Sequence, residues 1–291
     1  MNYDHAIIMC GGSGSRLRPL TDCINKHFLP VYDKPMFYYA FSNLLHLGVR
    51  NFTIIGRSFD MPIYKKILQK FELLGVRFAF LVQDTAAGIA DGIVLFEKNF
   101  GHKDIILALG DNLFFGNSIK DDLSDVLASP KSGVVLKHVV NPNEYGVAQF
   151  NVDNGSLKQI IEKPNKFEGN WAVTGLYFYR KEVFSYLNQL TPSDRSELEI
   201  TDLNNILIKR DKLTFSKLGQ AVAWFDAGDT ASMLDASALV RSIQEKTGLL
   251  VCSPEEILFQ ECSKQLIIDF KKRQPEPKSK YELSLTKLME Q

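Results

Sequence analysis

An apolar run, Ala6-Ile7-Ile8-Met9, passes almost directly into a glycine-rich turn, Gly11-Gly12-Ser13-Gly14-Ser15, with cations following at Arg16 and Lys26. A short apolar run bounded by glycine reads as a buried strand. Gly11, Gly12 and Gly14 permit main-chain angles closed to other residues and let the backbone approach a ligand closely. Successive free N–H groups in such a turn form a concave anion site. Arg16 can fork onto phosphate oxygens, and Lys26 can add a point charge. Together these features point to polyphosphate binding at the carboxyl end of a strand. A plain tight turn with solvated cations is the alternative. Two better-known phosphate loops do not fit. No Gly-x-x-x-x-Gly-Lys-Ser/Thr string follows Gly11 or Gly12. Gly12-x-Gly14 lacks the third glycine of a dinucleotide fingerprint, because that position is Leu17.

The pattern downstream sets the fold class. Strands are expected at 5–10, 51–56, 76–82, 104–109, 132–139, 146–151, 157–161, 173–179, 213–217 and 221–225. Helices are expected at 36–47, 61–73, 88–99, 118–127, 180–190 and 199–210. Strict strand–helix alternation in the first half argues for a largely parallel sheet covered on both faces. After 132 the strands crowd together, and Asp153-Asn154-Gly155 is a hairpin signal. The sheet is therefore expected to become mixed, with a β-rich insert over the site. From 230 the pattern turns helical, at 230–246, 253–261, 263–273 and 279–290. This divides the chain into an α/β unit, 1–229, and a helical extension, 230–291.

Lys and Arg number 34 and Asp and Glu number 34, so the formal net charge is zero. A chain that coats nucleic acid would show a basic excess. No apolar run reaches membrane-spanning length and no secretion pattern opens the chain. The four cysteines, Cys10, Cys23, Cys252 and Cys262, form no Cys-x-x-Cys pair, which argues against a zinc or disulfide framework and suits a reducing cytoplasm. Cys10 is expected to be buried filler. His5, His27, His46, His102 and His138 are scattered and read as structural or surface groups.

Asp111 follows the apolar strand Ile105 to Leu109, and Asp226 follows Ala221 to Phe225. Open α/β sheets place ligands at such strand ends. Two carboxylates there could share Mg²⁺, which takes few protein oxygens plus substrate phosphates. Equally, each could be a helix cap or turn former. Glu162-Lys163-Pro164 could be a solvated pair. The amide of Gln83 suits a pyrimidine edge or, alternatively, a helix start. Tyr177 and Tyr179 could face a ligand or simply fill a strand.

The wording from Gly11 to Thr21, with Lys26 and Pro30-Val31, resembles the signature of sugar-1-phosphate nucleotidylyltransferases, and Tyr32-Asp33-Lys34-Pro35-Met36 resembles their thymidylyltransferase branch. Gly110-Asp111-Asn112, Glu144 to Val147, Glu162-Lys163-Pro164, Ala172 to Tyr179, Glu197 to Asp202 and Cys252 to Ile257 extend the match over about residues 5 to 260. The resemblance implies a Rossmann-like α/β nucleotidyltransferase fold, a mixed, mostly parallel sheet flanked by helices, with a β-rich sugar-binding insert and a C-terminal helical extension. It implies attack of glucose 1-phosphate on the α-phosphorus of dTTP. Gly11, Gly12, Gly14, Ser15, Gln83 and Gly88 would bind the nucleotide. Tyr145, Gly146, Glu162, Lys163 and Val173 would bind the sugar phosphate. Arg16, Lys26, Lys163, Asp111 and Asp226 would carry the chemistry, with Mg²⁺ on Asp111 and Asp226. A homotetramer with a second, regulatory nucleotide site is a further implication.

Departures from the family pattern bear on substrate identity. Asp84, Ala86 and Ala87 interrupt the usual Gln-Pro-Ser-Pro-Asp-Gly run, Asp91 replaces a common glutamine, and Ala227 and Asp229 replace threonines. The same chemistry with UTP, CTP or another sugar phosphate stays open, as does a catalytically silent nucleotide-sugar sensor.

Overall fold

The computed structural model describes residues 3–116 and 119–290. The first half holds β1 (His5–Met9), β2 (Pro30–Val31), β3 (Lys34–Pro35), α1 (Phe37–His46), β4 (Asn51–Gly56), α2 (Met61–Glu72), β5 (Arg77–Val82), α3 (Ile89–Phe100), β6 (Ile105–Leu109) and β7 (Asn112–Phe115). There follow α4 (Ile119–Asp122), α5 (Ser124–Ala128), β8 (Ser132–His138), β9 (Gly146–Phe150), β10 (Leu157–Glu162), β11 (Trp171–Tyr179), α6 (Ile200–Lys209), β12 (Leu213–Lys217) and β13 (Ala223–Asp226). The last four helices are α7 (Thr230–Thr247), α8 (Pro254–Phe259), α9 (Lys264–Lys272) and α10 (Lys280–Met289).

The main sheet runs β10-β9-β11-β6-β1-β4-β5, and β8 and β12 continue from β11 on a branch. β1, β4, β5 and β6 are parallel; β11 joins β6 antiparallel. Every residue of β1 is buried, as expected for a central strand covered on both faces. The Asp153-Asn154-Gly155 signal lies between β9 and β10, which pair antiparallel. One apolar cluster packs α1 and α2 against one face of the sheet. A second packs α3 and α6 against the other.

Two expected elements differ. The helix expected at 180–190 is a 3-10 segment, Lys181–Gln189. The helix expected at 118–127 divides into α4 and α5, and residue 118 lies outside the described residues. Three strands were not anticipated: β2 and β3, which pair with each other as a two-residue ribbon, and β7. β7 pairs antiparallel with β13 in a separate two-stranded ribbon, and this ribbon brings Asn112 opposite Asp226.

The C-terminal helices are tied to the sheet layer by a buried charge. Glu255 of α8 has no exposure; it accepts from Lys70 of α2 at 2.6 Å and from the Tyr281 hydroxyl of α10 at 2.6 Å. A capping box starts α10, with Ser279 and Glu282 exchanging side-chain-to-backbone bonds.

His5 and His27 are buried at 8% and 1% exposure. His5 meets Thr53 Oγ1 at 2.9 Å, and His27 meets Asn25 Oδ1 at 2.7 Å. Burial, then the Lys103 charge, lowers His5 to about 4; burial, then Lys26, lowers His27 to about 3. The unfolded chain takes up these protons near pH 6.5 and the folded chain does not. Stability is therefore full above pH 6.5 and declines as pH falls toward 4, by about 1.4 kcal/mol per unit for each ring. Urea unfolding of His5→Gln is expected to show a shallower loss between pH 6 and 4.5, by about one proton's worth of slope.

Candidate active site

β1 ends beneath the glycine turn. Cys10 N–H donates to Ile55 O at 2.7 Å, holding the strand end against β4. Its thiol is fully buried and pushed up to about 12 by that burial, so it is filler rather than a nucleophile. Gly12 and Gly14 then take φ of 93° and 59°. A Cβ on Gly14 would sit 2.8 Å from the Thr21 methyl, while Thr21 Oγ1 donates to Gly14 O at 2.8 Å and closes the turn. Ser15–Leu17 forms one 3-10 turn in which Leu17 is buried, so its neighbour Arg16 projects outward.

Arg16 reaches Glu144 at 3.4 Å and Asp226 at 3.8 Å, and its side chain stays 55% exposed. Lys26 lies deeper and makes a direct ion pair with Asp111. Burial opposes the Asp111 charge, but the Lys26 ammonium overcomes it and holds the carboxyl well below the usual range. Asp226 is the opposite case. Burial and the nearby Asp111 charge push it up to about 6. The β7–β13 ribbon brings the two carboxylates together, and Ala227 N–H donates to Asp111 O at 3.0 Å. Neither is a helix cap; the capping aspartate is Asp229, which accepts from Ser232 N–H at 2.9 Å at the start of α7.

Two chambers open at the carboxyl ends of β1 and β6. One, of about 220 Å³, is walled by Gly11, Gly12, Lys26, Gln83, Gly88 and Asp111 among others. The other, of about 180 Å³, is walled by Arg16, Tyr145, Gly146, Glu162, Lys163, Val173, Asp111 and Asp226 among others. They share Ile89, Leu109 and Asp111. Gly14 and Ser15 shape the turn and stand outside both walls.

Local backbone explains several placements. Gly88 takes φ of 97°, and a Cβ there would overlap the Leu198 main chain, which itself bonds Ala87 and Ala90. Lys163 takes φ of 41°, a left-handed angle rare outside glycine, where the chain leaves β10. Glu162 accepts from Thr201 Oγ1 at 2.5 Å, which fixes its carboxylate from α6. Glu162 and Lys163 are exposed, as a solvated pair would be, and both also wall the second chamber. Tyr177 lines the sugar-sized chamber, whereas Tyr179 is core and donates to Asn204 at 2.8 Å.

Sequence reasoning gave no role to Asn112, Trp224 or Thr201. Asn112 Oδ1 accepts from Trp224 Nε1 at 2.7 Å and from Gly175 N–H at 3.1 Å, and its Nδ2 donates to Asp111 at 3.2 Å. Trp224 in turn packs on Tyr145, with ring centroids 4.9 Å apart. Asn112 thus ties the acidic centre to the wall of the second chamber. Only its position beside Asp111 could have signalled this.

A cation fits the acidic centre. The two carboxylates are hard oxygen donors, and Asp226 is under repulsion that a bound ion would relieve. Among the described residues no group of three or more metal-ligand side chains occurs. Two carboxylates are few protein oxygens, a number that suits a divalent cation sharing its remaining positions with substrate phosphates.

A family model described as Nucleotidyl transferase matches residues 5–243. The glucose-1-phosphate thymidylyltransferase of Xanthomonas campestris pv. campestris is 40% identical over 260 residues, covering 89% of this chain and 88% of its own. That of Mycobacterium tuberculosis is 36% identical over 253 residues, covering 87% and 88%. A solved structure from Bacillus anthracis, described as a glucose-1-phosphate thymidylyltransferase in complex with sucrose, superposes with a TM-score of 0.73 at 38% identity, covering 81% of this chain and 95% of that one. A UDP-glucose pyrophosphorylase complexed with UDP-glucose shares the fold at 22% identity and the same TM-score, covering 83% and 99%. The chain belongs to the nucleotidyl transferase family, within its glucose-1-phosphate thymidylyltransferase branch.

Proposed function

We propose that this chain transfers a thymidylyl group from dTTP to glucose 1-phosphate, yielding dTDP-glucose and pyrophosphate. The observation that carries the reading is the pair of chambers meeting at Asp111, with Lys26 in one wall and Arg16 and Lys163 in the other. A nucleoside fits the glycine-lined chamber, and a sugar phosphate fits the chamber walled by Glu162, Gly146 and Tyr145. Their phosphates then converge at the shared wall.

The attacking phosphate oxygen is already anionic near neutral pH, so the reaction needs no strong base. Both buried histidines are held neutral and neither is required. Lys163 holds the sugar phosphate in line with the α-phosphorus. Arg16 and the turn amides hold the β- and γ-phosphates and stabilise pyrophosphate as it leaves. Lys26 adds charge at the same centre. Alignment of two anions and charge stabilisation account for catalysis. Mg²⁺ held by Asp111 and Asp226 would neutralise charge at the α-phosphate.

The same proposal includes the division into a catalytic domain at 1–229 and a helical extension at 230–291, assembly as a homotetramer, and work in the cytoplasm. Among the described residues no helix is long and apolar enough to cross a membrane.

Pyrophosphate release with glucose 1-phosphate and Mg²⁺, compared across dTTP, UTP, CTP, ATP and GTP, tests the reading. Fastest release with dTTP, and UTP next, is expected. Faster release with CTP would change the assigned nucleotide. Binding of dTDP-glucose without release from any triphosphate would make the protein a sensor.

A further inference from the structure

Asp91 stands in the first turn of α3, and its Oδ2 accepts from Gln83 Nε2 at 2.7 Å. The same Nε2 also donates to Gly88 O at 3.1 Å. A carboxylate and a carbonyl offer only lone pairs, so the amide end facing them must be the NH₂ group. Both N–H bonds of Gln83 are then engaged on the α3 side. Its Oε1 lies on the opposite side, 3.8 Å from where a Cβ on Gly11 would sit, in the wall of the nucleotide chamber. An incoming base meets an acceptor at this position and no donor.

We infer that Asp91 is a positioning residue for base selection: by holding both N–H groups of Gln83, it leaves a carbonyl oxygen facing the base, so the site takes pyrimidines bearing a ring N–H. Thymine and uracil carry that N3–H. Cytosine presents a bare lone pair at N3 and would have to slide its exocyclic amine under Oε1 to bond. A glutamine at position 91, common in the family, could donate or accept and would impose no such lock on Gln83. The inference rests on the nucleotide reading proposed above. It adds how one base is chosen over another.

Asp91→Ala removes one of the two acceptors, and Asp91→Asn leaves an amide that can turn either way. Dissociation constants for dTTP, dUTP and dCTP are measured calorimetrically on the full chain with Mg²⁺, without sugar phosphate. The unmodified chain is expected to favour dTTP over dCTP by about 100-fold or more, because a pocket acceptor left facing a lone pair is costly. Asp91→Ala is expected to narrow that ratio by about tenfold, one hydrogen bond's worth, with Asp91→Asn between. The ratio of dTTP to dUTP should not move, since both carry N3–H. An unchanged dTTP to dCTP ratio in Asp91→Ala, or equal weakening of all three nucleotides, overturns the inference. So does equal binding of dTTP and dCTP by the unmodified chain; either result leaves the function reading standing. Failure of all three to bind the unmodified chain overturns the function reading and the inference with it.

Discussion

Replacing Arg16 with alanine is expected to lower kcat/KM by about 100-fold or more while hardly changing stability. The two effects separate because of where the side chain sits. Its side chain is 55% exposed, and its contacts to the exposed Glu144 at 3.4 Å and to Asp226 at 3.8 Å are long ion pairs open to solvent on the arginine side. Such pairs contribute about 0–1 kcal/mol. The substrate polyphosphate is a different partner: it is densely anionic, and a preorganised fork aimed at the departing pyrophosphate acts when charge develops. Arg16→Lys keeps the charge but loses the bidentate geometry, and should recover only part of the rate. Steady-state kinetics beside a urea melt checks both halves. Turnover within a few-fold of the parent would remove Arg16 from its assigned role.

Lys26→Met is expected to fail in both respects. Lys26 and Asp111 are 15% and 11% exposed along their side chains, and they pair directly. Removing one partner leaves the other as an uncompensated buried charge, at a cost of about 3–5 kcal/mol. Activity should fall as well, by about 100-fold or more, because the cation at the reacting centre is gone. The double variant Lys26→Met/Asp111→Asn separates the causes. It removes both charges, so denaturant stability should recover most of the loss while turnover stays low. If the double variant were as unstable as the single one, the stability defect would lie in lost packing rather than in the orphaned carboxylate.

The strongest parts of the fold were legible because a local pattern coincides with a tertiary need. β1, β4, β5 and β6 follow one another with α1, α2 and α3 between them, and the apolar runs of β1, β4 and β6 are central in the sheet. The glycine turn was legible because Gly12 and Gly14 both take left-handed angles that few other residues tolerate. Of the missed strands, β2 and β3 have two residues each, and β7 is only four residues long and pairs with β13, more than 100 residues later. Nothing near Asn112 announces that partner. The roles of Asn112, Trp224 and Thr201 were hidden for the same reason: each acts through a hydrogen bond to a residue far away in sequence. Asp229 and Asp91 stood out only as departures from the family pattern: Asp229 caps α7 while its charge also helps to raise Asp226, and the Asp91 carboxylate accepts from Gln83. Residue type was visible in the sequence, whereas the partner that fixes its meaning was not.

Among the described residues the two chambers have only Ile89, Leu109 and Asp111 in common. In the proposed function, base recognition and sugar recognition therefore fall on almost separate sets of side chains, from separate stretches of chain. A substitution at position 83 or 91 changes one vocabulary without touching the other, and one at 146 or 162 does the reverse. Donor and acceptor preferences can be exchanged like two independent dials, with the shared aspartate keeping the reaction itself constant.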